Sequence, residues 1–415
     1  MKVLMLRPSY EPEISGGNHL AIDLIEDLIK ENHEVELVVP SPTRVNKDIL
    51  NKYKSLKYEE KYRGKLKIHR ISVSVGENNI FLRAIRMLLI SLKMFWKTLT
   101  IKNVSIIMSH SMPPFIGPLS VLTSKFKKIP LVYWEQDILS ESLISTGVAT
   151  KGIKKSALFS LARLIERISS NGSNHIITIS EKFKKRQLKI GKKESECDVV
   201  YNWIDVNNFK PVSRKENHLF NEFKLNPKNF YITYCGNLGL PQNVEILIDA
   251  AKKLEKYKDI KFLILGNGVR KQKIKEYILN SKVSNVELYP LVPLEEAAYA
   301  YSIGDVGIVL GRKGTSNNGF PSKTWSIMAA GQAIVSCFDM DSELSEFVNS
   351  GNCGIALPPD NPQLLAEAIE KLYHNRDLTS QYQLNSREFV TNNFSREPAT
   401  SNIIKILQRN MIRNG

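Results

Sequence analysis

The chain has 415 residues, of which 42% are hydrophobic and 24% charged, and its formal net charge is +16. This length suits two or three domains, each with its own core. The positive charge favours an anionic membrane surface or a phosphate-bearing substrate as partner. Nucleic acid is not expected, because the charge is spread along the chain and no zinc finger or RNP-like motif is present.

The four cysteines show no Cys-x2-Cys spacing, which predicts buried thiols in a reducing cytosol and no zinc site. The apolar N-terminal stretch is too short for a signal peptide and is typical of a first β-strand. No uncharged apolar run reaches the roughly eighteen residues that a membrane-spanning helix needs. We therefore expect a cytoplasmic protein.

Short apolar runs alternate with amphipathic segments along the whole chain, starting with a strand at Lys2–Leu6 and a helix at Asn18–Glu31. This alternation predicts an α/β fold with parallel sheets covered on both faces. About twelve strands exceed what one open sheet usually carries, so two doubly wound, Rossmann-like domains are expected. Their predicted extents are residues 1–195 and 196–395, with a C-terminal helix at 396–415 returning to the first. The later predicted strands are Glu34–Val39, Ile68–Val73, Val104–Ser109, Leu131–Trp134, Ile176–Ile179, Tyr231–Cys235, Lys261–Leu265, Val286–Tyr289, Val306–Leu310 and Ala333–Cys337.

Three glycine-bearing loops follow predicted strands. They end at Gly16-Gly17, at Gly236-Asn237-Leu-Gly239 and at Gly266-Asn-Gly268. Each loop alone is more typical of a tight turn than of a site. Their equivalent places in both halves favour a ligand with phosphate groups in a shared cleft. None has the full G-x-G-x-x-G pattern with a later acidic residue, so a nicotinamide dinucleotide is not expected.

The segment Phe81–Thr100 has a basic stripe beside a broad apolar face. At about 100° per residue, Arg83, Arg86, Lys93 and Lys97 fall within an arc of roughly 80°. Such a helix can lie in a membrane interface, or it can cover a sheet with its cationic edge in solvent. The two interpretations have equal weight and are compatible.

Polar side chains follow two neighbouring predicted strands in the first half. Glu135 and Asp137 lie at the end of one strand and His110 at the end of the preceding one. Carboxylates in this position can orient or deprotonate a hydroxyl acceptor, although they can equally well cap the next helix.

The stretch from Asn318 to Gly331 predicts a short helix between two strands. Ser322 is its expected cap, Lys323 lies in its first turn and Gly331 ends it. A lysine at such a helix start can hold a phosphate, but an ordinary connection is equally compatible. The nearby Asp339-Met-Asp341 has a form that binds metal–nucleotide complexes in some transferases. Here we expect Asp341 or Ser342 to cap the following helix instead.

Together these segments resemble the retaining glycosyltransferases of family 4, also called group 1. That family has the GT-B fold, in which two Rossmann-like domains face a central cleft. The resemblance covers nearly the whole chain, and the Pro-Ser-Lys variant is most similar to a subgroup that adds sugars such as N-acetylfucosamine to bacterial surface polysaccharides. Its firmest parts are Gly16-Gly17, Val200–Pro211, Gly236–Gly239, Leu265–Gly268, Pro321–Thr324 and Met328–Gly331.

The resemblance implies a nucleotide-sugar donor, with UDP as the expected nucleotide, and no metal or other cofactor. It places the diphosphate against Gly236, Gly239, Ser322 and Lys323, with Gly16 and Gly17 closing over it. The backbone near Leu291 and Val292 faces the base, and the amides of Gly319 and Phe320 face the sugar. The remaining expected donor contacts are Asn237, Gly266, Gly268, Arg312, Asn318 and Ser326.

Several positions depart from the family pattern. Asn318 and Ser326 stand where two glutamates are usual, and Asn237 and Gln242 stand where an Arg and a Lys are common. Lys323, with Arg312, is therefore expected to carry more of the charge stabilisation. Near Gln136, where many members have a histidine, this chain offers Asp137.

The expected function is retaining transfer of a sugar to a lipid-linked oligosaccharide, by a peripheral protein on the inner face of the cell membrane. The expected catalytic residues are Lys323 on the donor side and Asp137, Glu135 and His110 on the acceptor side. Two alternatives stay open from the residues alone. One is a sugar-nucleotide epimerase on the same fold, and the other is a membrane-binding scaffold without activity.

Overall fold

The computed structural model describes residues 1–13, 17–43, 45, 47–73, 80–145, 153–317 and 319–412. The chain divides into two compact units. The first contains Met1–Asn202 together with Glu397–Gly415, and the second contains Trp203–Arg396. The first unit continues past the expected boundary at residue 195, because a strand at Cys197–Val199 pairs within its sheet.

The first sheet has eight strands in the described residues. These are β1 (Lys2–Leu6), β2 (Glu34–Pro40), β3 (Tyr58–Lys61), β4 (Leu66–Ile71), β5 (Ile106–His110), β6 (Leu131–Glu135), β7 (His175–Thr178) and β8 (Cys197–Val199). Their spatial order is β3-β4-β2-β1-β5-β6-β7-β8, and only the edge strand β3 is antiparallel to its neighbour. β1, β5 and β6 are therefore adjacent, so their carboxyl ends meet at one edge.

The second sheet has six parallel strands in the described residues. These are β9 (Phe230–Asn237), β10 (Ile260–Asn267), β11 (Val286–Tyr289), β12 (Val306–Leu310), β13 (Ala333–Cys337) and β14 (Gly354–Leu357), in the order β11-β10-β9-β12-β13-β14. β9 and β10 pair over their full length, which places Gly236 opposite Gly266. Two of the glycine loops therefore lie side by side.

Helices cover both sheets. Those of the first unit are α1 (Asn18–Lys30), α2 (Lys47–Ser55), α3 (Ile80–Thr100), α4 (Ile116–Lys127), α5 (Leu139–Ser145), α6 (Ile153–Gly172) and α7 (Glu181–Ile190). Those of the second unit are α8 (Leu219–Glu222), α9 (Glu245–Lys253), α10 (Lys271–Ser281), α11 (Ala297–Tyr301), α12 (Lys323–Ala329), α13 (Glu343–Ser350), α14 (Pro362–His374) and α15 (Arg376–Asn393). The last helix, α16 (Arg396–Ile412), packs in the first unit, where Thr400 Oγ1 donates to Asp27 Oδ2 at 2.9 Å.

The central strands are buried along their full length, which explains why they are apolar runs without alternation. In the first unit, Ile90 and Met94 of α3 pack onto the sheet beside Leu4 and Ile107. All four cysteines are buried and unpaired, as expected. None of the helices in the described residues is long and apolar enough to span a membrane.

Three strands were not expected from the sequence. β3 is a polar four-residue edge strand, β8 has three residues, and β14 begins at a glycine. Each is short and depends on a longer neighbour for its hydrogen bonds, so its own residues carry little strand signal. The eleven strands whose bounds were predicted are present, with ends that differ by a few residues.

Candidate functional site

In the second unit, three loops meet at the carboxyl ends of adjacent strands. They follow β10, β9 and β12, which are neighbours in the sheet. The third loop leads into α12, which begins at Lys323. In open α/β sheets, ligands bind at this edge.

Lys323 is the chemically distinctive residue of this edge. Its Nζ is buried and has no hydrogen-bond partner among the described residues. It lies 3.8 Å from the centroid of the Tyr234 ring, which attracts a cation through its face. Burial lowers the pKa of the Lys323 ammonium to about 7. An anion arriving beside Nζ would supply the missing partner and favour the charged form.

Gly236 leaves room for this ammonium group. A Cβ at Gly236 would lie 3.0 Å from Lys323 Nζ, and the residue has φ +139°, which side chains rarely adopt. Tyr234 is fully buried, and its hydroxyl donates to the carbonyl oxygen of Asn237 at 2.7 Å. The position of Lys323 Nζ is thus set by the end of β9, the Tyr234 ring and the space at Gly236.

Gly266 and Gly268 have a packing role that explains them without a ligand. A Cβ at Gly266 would lie 2.7 Å from the Leu238 side chain, and one at Gly268 would lie 2.6 Å from the Leu238 carbonyl oxygen. Leu238 N–H also donates to the Asn267 carbonyl oxygen at 2.8 Å. These glycines let the loops after β9 and β10 pack against each other, so they support the site from behind.

The loop after β9 is closed by its own polar groups. Gly239 N–H donates to Gln242 Oε1 at 3.2 Å. The Gln242 side chain, which stands where a lysine is common in the family, is therefore bonded within the loop. Arg312 N–H donates to the Pro241 carbonyl oxygen at 2.8 Å, and Arg312 Nη2 donates to Asn243 Oδ1 at 3.1 Å. The Arg312 and Asn237 side chains are exposed at this edge.

The start of α12 differs from the expectation in one detail. The Ser322 side chain does not cap the helix, because Ser322 itself has helical dihedral angles. The first turn is closed instead by Thr324, whose Oγ1 and N–H both donate to the Pro321 carbonyl oxygen. Gly331 ends the helix with φ +68°, as predicted.

The Asp339 carboxylate is engaged with the backbone. Its two oxygens accept from Gly314 N–H at 2.8 Å and Ser316 N–H at 3.0 Å. Ser342 caps α13 by accepting from Ser345 N–H, as predicted. Asp339 thus shapes the loop that leads to α12.

The expected sugar and base contacts lie around the same edge. Gly319 has open space where a Cβ would be, and Phe320 stacks on Trp325 at 4.9 Å. Ser326, which stands where a glutamate is usual in the family, faces the hydroxyl of the partly buried Tyr301. Leu291 is exposed, whereas Val292 packs against the core of this unit. Asn318 and, in the first unit, Gly16 lie outside the described residues.

The carboxyl edge of the first sheet holds the three expected acceptor-side residues. His110 is buried, and its Nδ1 accepts from Met112 N–H at 2.9 Å. Burial and the positive charge of Arg7 lower the pKa of His110 well below its usual value, so the ring is neutral with its proton on Nε2. Gly17 precedes α1 and has open space where a Cβ would be.

Glu135 lies in a buried hydrogen-bonded network. It is 2% exposed and accepts from Gln187 Nε2 at 2.6 Å. Burial raises the pKa of its carboxyl to about 7. This arrangement connects β6 to α7 and supports the loop that follows.

Asp137 is exposed and held from behind by its backbone. Ser111 Oγ accepts from the N–H groups of both Gln136 and Asp137, each at 3.2 Å. Gln136 and Asn202 exchange two side-chain hydrogen bonds of 2.9 Å. The Asp137 backbone is therefore held at the sheet edge, where the residue is exposed, and desolvation raises the pKa of its carboxyl to about 6.

The sequence interpretation missed two residues of these edges. Tyr234 lies within an apolar strand and carries no signal of contact with a cation. Arg7 directly follows the predicted strand Lys2–Leu6 and was given no role, although a charged residue directly after a buried apolar run is a usable signal.

Comparison with known proteins agrees with this architecture. The family model described as Glycosyltransferase Family 4 matches residues 14–208, and the model described as Glycosyl transferases group 1 matches residues 215–389. The chain is 22% identical over 376 residues to WcaI of Escherichia coli (strain K12), a protein named for glycosyl transfer in colanic acid biosynthesis. That match covers 89% of this chain and 92% of WcaI.

Solved structures show the same fold over the full length. The HepE protein of Anabaena, in complex with UDP and glucose, matches with a TM-score of 0.73 and 16% identity, covering 99% of this chain and 100% of that one. Sucrose-phosphate synthase from Thermosynechococcus elongatus matches with a TM-score of 0.77 and 14% identity, covering 98% of both chains. The two halves of the chain thus match the family 4 and group 1 glycosyltransferase models in turn, and the chain is a glycosyltransferase of GT-B fold.

Proposed function

We propose that this glycosyltransferase moves a sugar, with retention, from a UDP-linked donor to a lipid-linked glycan in the synthesis of capsule, O-antigen or exopolysaccharide. The observation that carries the proposal is the buried Lys323 Nζ without a partner, next to the space left by Gly236. Buried ammonium groups are costly unless an opposite charge compensates them. The donor diphosphate is that charge.

On the donor side, the reaction breaks the bond between the anomeric carbon and a diphosphate oxygen. Negative charge grows on the leaving diphosphate, and groups already aimed at it lower the barrier. We assign this role to Lys323, with Gly236, Gly239 and Ser322 around the diphosphate. Gly319 and Phe320 face the sugar, and Leu291 with Val292 faces the base. The proposal requires no metal, because Lys323 provides a cation at the point where charge develops.

On the acceptor side, the acceptor hydroxyl oxygen forms the new bond to the anomeric carbon and its proton must leave. We assign orientation of that hydroxyl to Asp137, the exposed carboxylate that Ser111 holds through the backbone. Glu135 and His110 act behind it, because both are buried and engaged with neighbouring groups.

A nucleotide panel tests the donor assignment. We expect UDP and UDP-N-acetylhexosamines to raise the midpoint of thermal unfolding, because a ligand that binds only the native state stabilises it. GDP and ADP at the same concentration serve as controls. If no uridine nucleotide raised the midpoint of thermal unfolding, the proposal would be contradicted. Incubation with the donor alone should yield no epimerised sugar nucleotide, which separates transfer from epimerisation.

The membrane part of the proposal rests on an apolar and basic surface of three helices. α3 packs on α4, and α4 packs on α6. α3 buries Ile90 and Met94 against the sheet while its other side is exposed, so the two interpretations of this helix are compatible. The exposed apolar side chains of the three helices are Met87, Leu88, Leu92, Trp96, Leu122, Phe126, Leu161, Leu164 and Ile168.

The charges of this three-helix surface match an anionic membrane. Exposed basic residues lie among the apolar ones, and the sequences of α3 and α4 contain no acidic residue. The one acidic residue of α6, Glu166, is buried and paired with Arg186. Exposed aromatic side chains beside basic groups are typical of membrane-interface binding. The exposed basic residues are Arg83, Lys93, Lys125, Lys128, Arg163 and Arg167.

Replacing the two most exposed aromatic residues of this surface should weaken membrane binding. Trp96 is 64% exposed and Phe126 is 70% exposed. We expect the Trp96→Ser, Phe126→Ser double variant to lose about tenfold or more in binding to phosphatidylglycerol-containing vesicles, since each side chain contributes roughly 1.5–3 kcal/mol when buried. Vesicle co-sedimentation measures this.

The matched control replaces two equally exposed leucines of the second unit, Leu279→Ser and Leu384→Ser, which are 67% and 68% exposed. This control should bind vesicles like the wild type. Equal binding of both double variants, or binding that does not depend on anionic lipid, would refute the proposed surface.

A further inference from the structure

Arg7 is a buried cation at the carboxyl edge of the first sheet. It directly follows β1 and is 2% exposed. Its Nη2 donates to the Gly17 carbonyl oxygen at 3.0 Å. Its Nε and Nη1 are buried and have no hydrogen-bond partner among the described residues. Most of the hydrogen-bonding capacity of this guanidinium group is therefore unused.

Three other arginines that have a buried N–H group without a partner provide a contrast with Arg7. Arg70, Arg186 and Arg270 also contain one buried N–H group without a partner. Each of these three is ion-paired with a glutamate, namely Glu59, Glu166 and Glu245. In the described parts of the chain, no carboxylate lies within ion-pair distance of Arg7. Burial alone lowers the pKa of Arg7, to about 10, so the group stays cationic at neutral pH.

The neighbours of Arg7 hold the guanidinium in place and do not neutralise it. Its Cζ lies 5.1 Å from the centroid of the Trp134 ring, and the His110 ring packs edge-on against Trp134 at 6.3 Å. His110 is neutral, as described above. Arg7 follows β1, His110 ends β5 and Trp134 is the second-last residue of β6. These strands are adjacent, and their carboxyl ends form the edge that presents Asp137.

A buried cation with an aromatic wall, a neutral neighbour and unused donors is incomplete without an anion. The planar guanidinium group suits a two-pronged contact with an oxyanion. We propose that Arg7 binds a phosphate or carboxylate group of the acceptor glycan and so selects an acidic acceptor. That the oxyanion belongs to the acceptor rests on the proposed function of this unit.

Stability measurements separate this role from a structural one. We compare wild type with Arg7→Met, which keeps the side-chain length and removes the charge, and with Arg7→Lys. Removing an unpaired buried charge relieves its desolvation, so Arg7→Met should unfold at the wild-type temperature or higher. A clear loss of stability in Arg7→Met, with Arg7→Lys stable, would show that the cation supports the fold and would overturn the proposal.

Anion binding is measured directly with inorganic phosphate and with glucuronate, using chloride at matched ionic strength as reference. Because phosphate can also reach Lys323, the comparison is made in the Lys323→Met background. We expect Arg7→Met to weaken binding of the preferred anion about tenfold or more, and Arg7→Lys to weaken it less. Preference for phosphate or for glucuronate identifies the acidic group. The proposed anion site would be wrong if Arg7→Met still bound the anion in the Lys323→Met background. It would also be wrong if the Lys323→Met variant with Arg7 intact bound no anion.

Donor binding to the Arg7 variants distinguishes the acceptor from the donor as source of the oxyanion. With Lys323 intact, Arg7→Met should bind UDP as tightly as the wild type in calorimetry. A tenfold loss of UDP affinity would assign Arg7 to the donor and reject the acceptor part of the inference. If the wild type fails to bind uridine nucleotides but binds phosphate through Arg7, the proposed function fails while the anion site stands.

Discussion

Replacing Lys323 with methionine should lower kcat/KM for the sugar donor by about 10²-fold or more. The substitution keeps a side chain of similar length beside Tyr234 and removes the positive charge. Losing one group that stabilises developing charge on an oxyanion typically costs a factor of this size. Release of UDP at limiting donor concentration measures the effect.

Two further variants sharpen this test. Lys253→Ala removes one positive charge from an exposed position on α9 and should leave donor turnover unchanged. Lys323→Arg keeps the charge but puts a larger, planar guanidinium group into the space beside Gly236, so we expect only partial activity. Near wild-type turnover in Lys323→Met would remove Lys323 from the proposed mechanism.

The same lysine predicts how donor affinity depends on pH. Burial lowers the pKa of Lys323 to about 7, so the free protein loses this cation as the pH rises through that value. Only the charged form pairs with the diphosphate. The donor dissociation constant should therefore be flat below about pH 7 and rise toward tenfold per pH unit above it.

Calorimetry with a UDP-sugar tests this dependence, since its doubly esterified diphosphate does not titrate in the range. Binding at a pH above the pKa of Lys323 should take up a proton, visible as a dependence of the heat on the buffer. Lys323→Met should show neither effect. A dissociation constant that falls as the pH rises would contradict the assignment.

The second large effect is expected from Asp137→Asn on the acceptor side. Removing the carboxylate should lower transfer of labelled sugar into the membrane lipid fraction by about 10²-fold, the lower end of the usual range for a group that manages a proton. UDP binding should be unchanged, because Asp137 belongs to the first unit, whereas Lys323, Gly236, Gly239 and Ser322, which we assign to the diphosphate, belong to the second.

The control for Asp137 is Glu181→Gln, an exposed acid in the first turn of α7 that should leave transfer unchanged. Ser111→Ala provides a graded comparison, because Ser111 accepts from the Asp137 backbone and touches no substrate in the proposal. Its loss should lower transfer less than Asp137→Asn. If Asp137→Asn abolishes UDP binding, the acceptor role is wrong.

The sequence was sufficient for the architecture because the relevant signals are local. Buried parallel strands are apolar along their whole length, as in Val306–Leu310, and amphipathic helices repeat with their own period. Family motifs singled out the loops that contain Lys323 and Gly236, to which we assign the donor. The short strands β3 and β8 were not predicted, because they are held by neighbours distant in sequence.

What each candidate side chain can do was decided only by the tertiary structure. Glu135 and Asp137 are two residues apart and looked equivalent, yet one is buried against Gln187 and the other is exposed. Likewise Gly236 makes room for an ammonium group while Gly268 makes room for a neighbouring loop. Whether a side chain is buried, and which group it bonds to, depends on contacts between segments far apart in the chain. Residue order therefore determined the fold and the sheet edges at which the candidate residues lie, and packing determined which of the described charges at those edges have no partner.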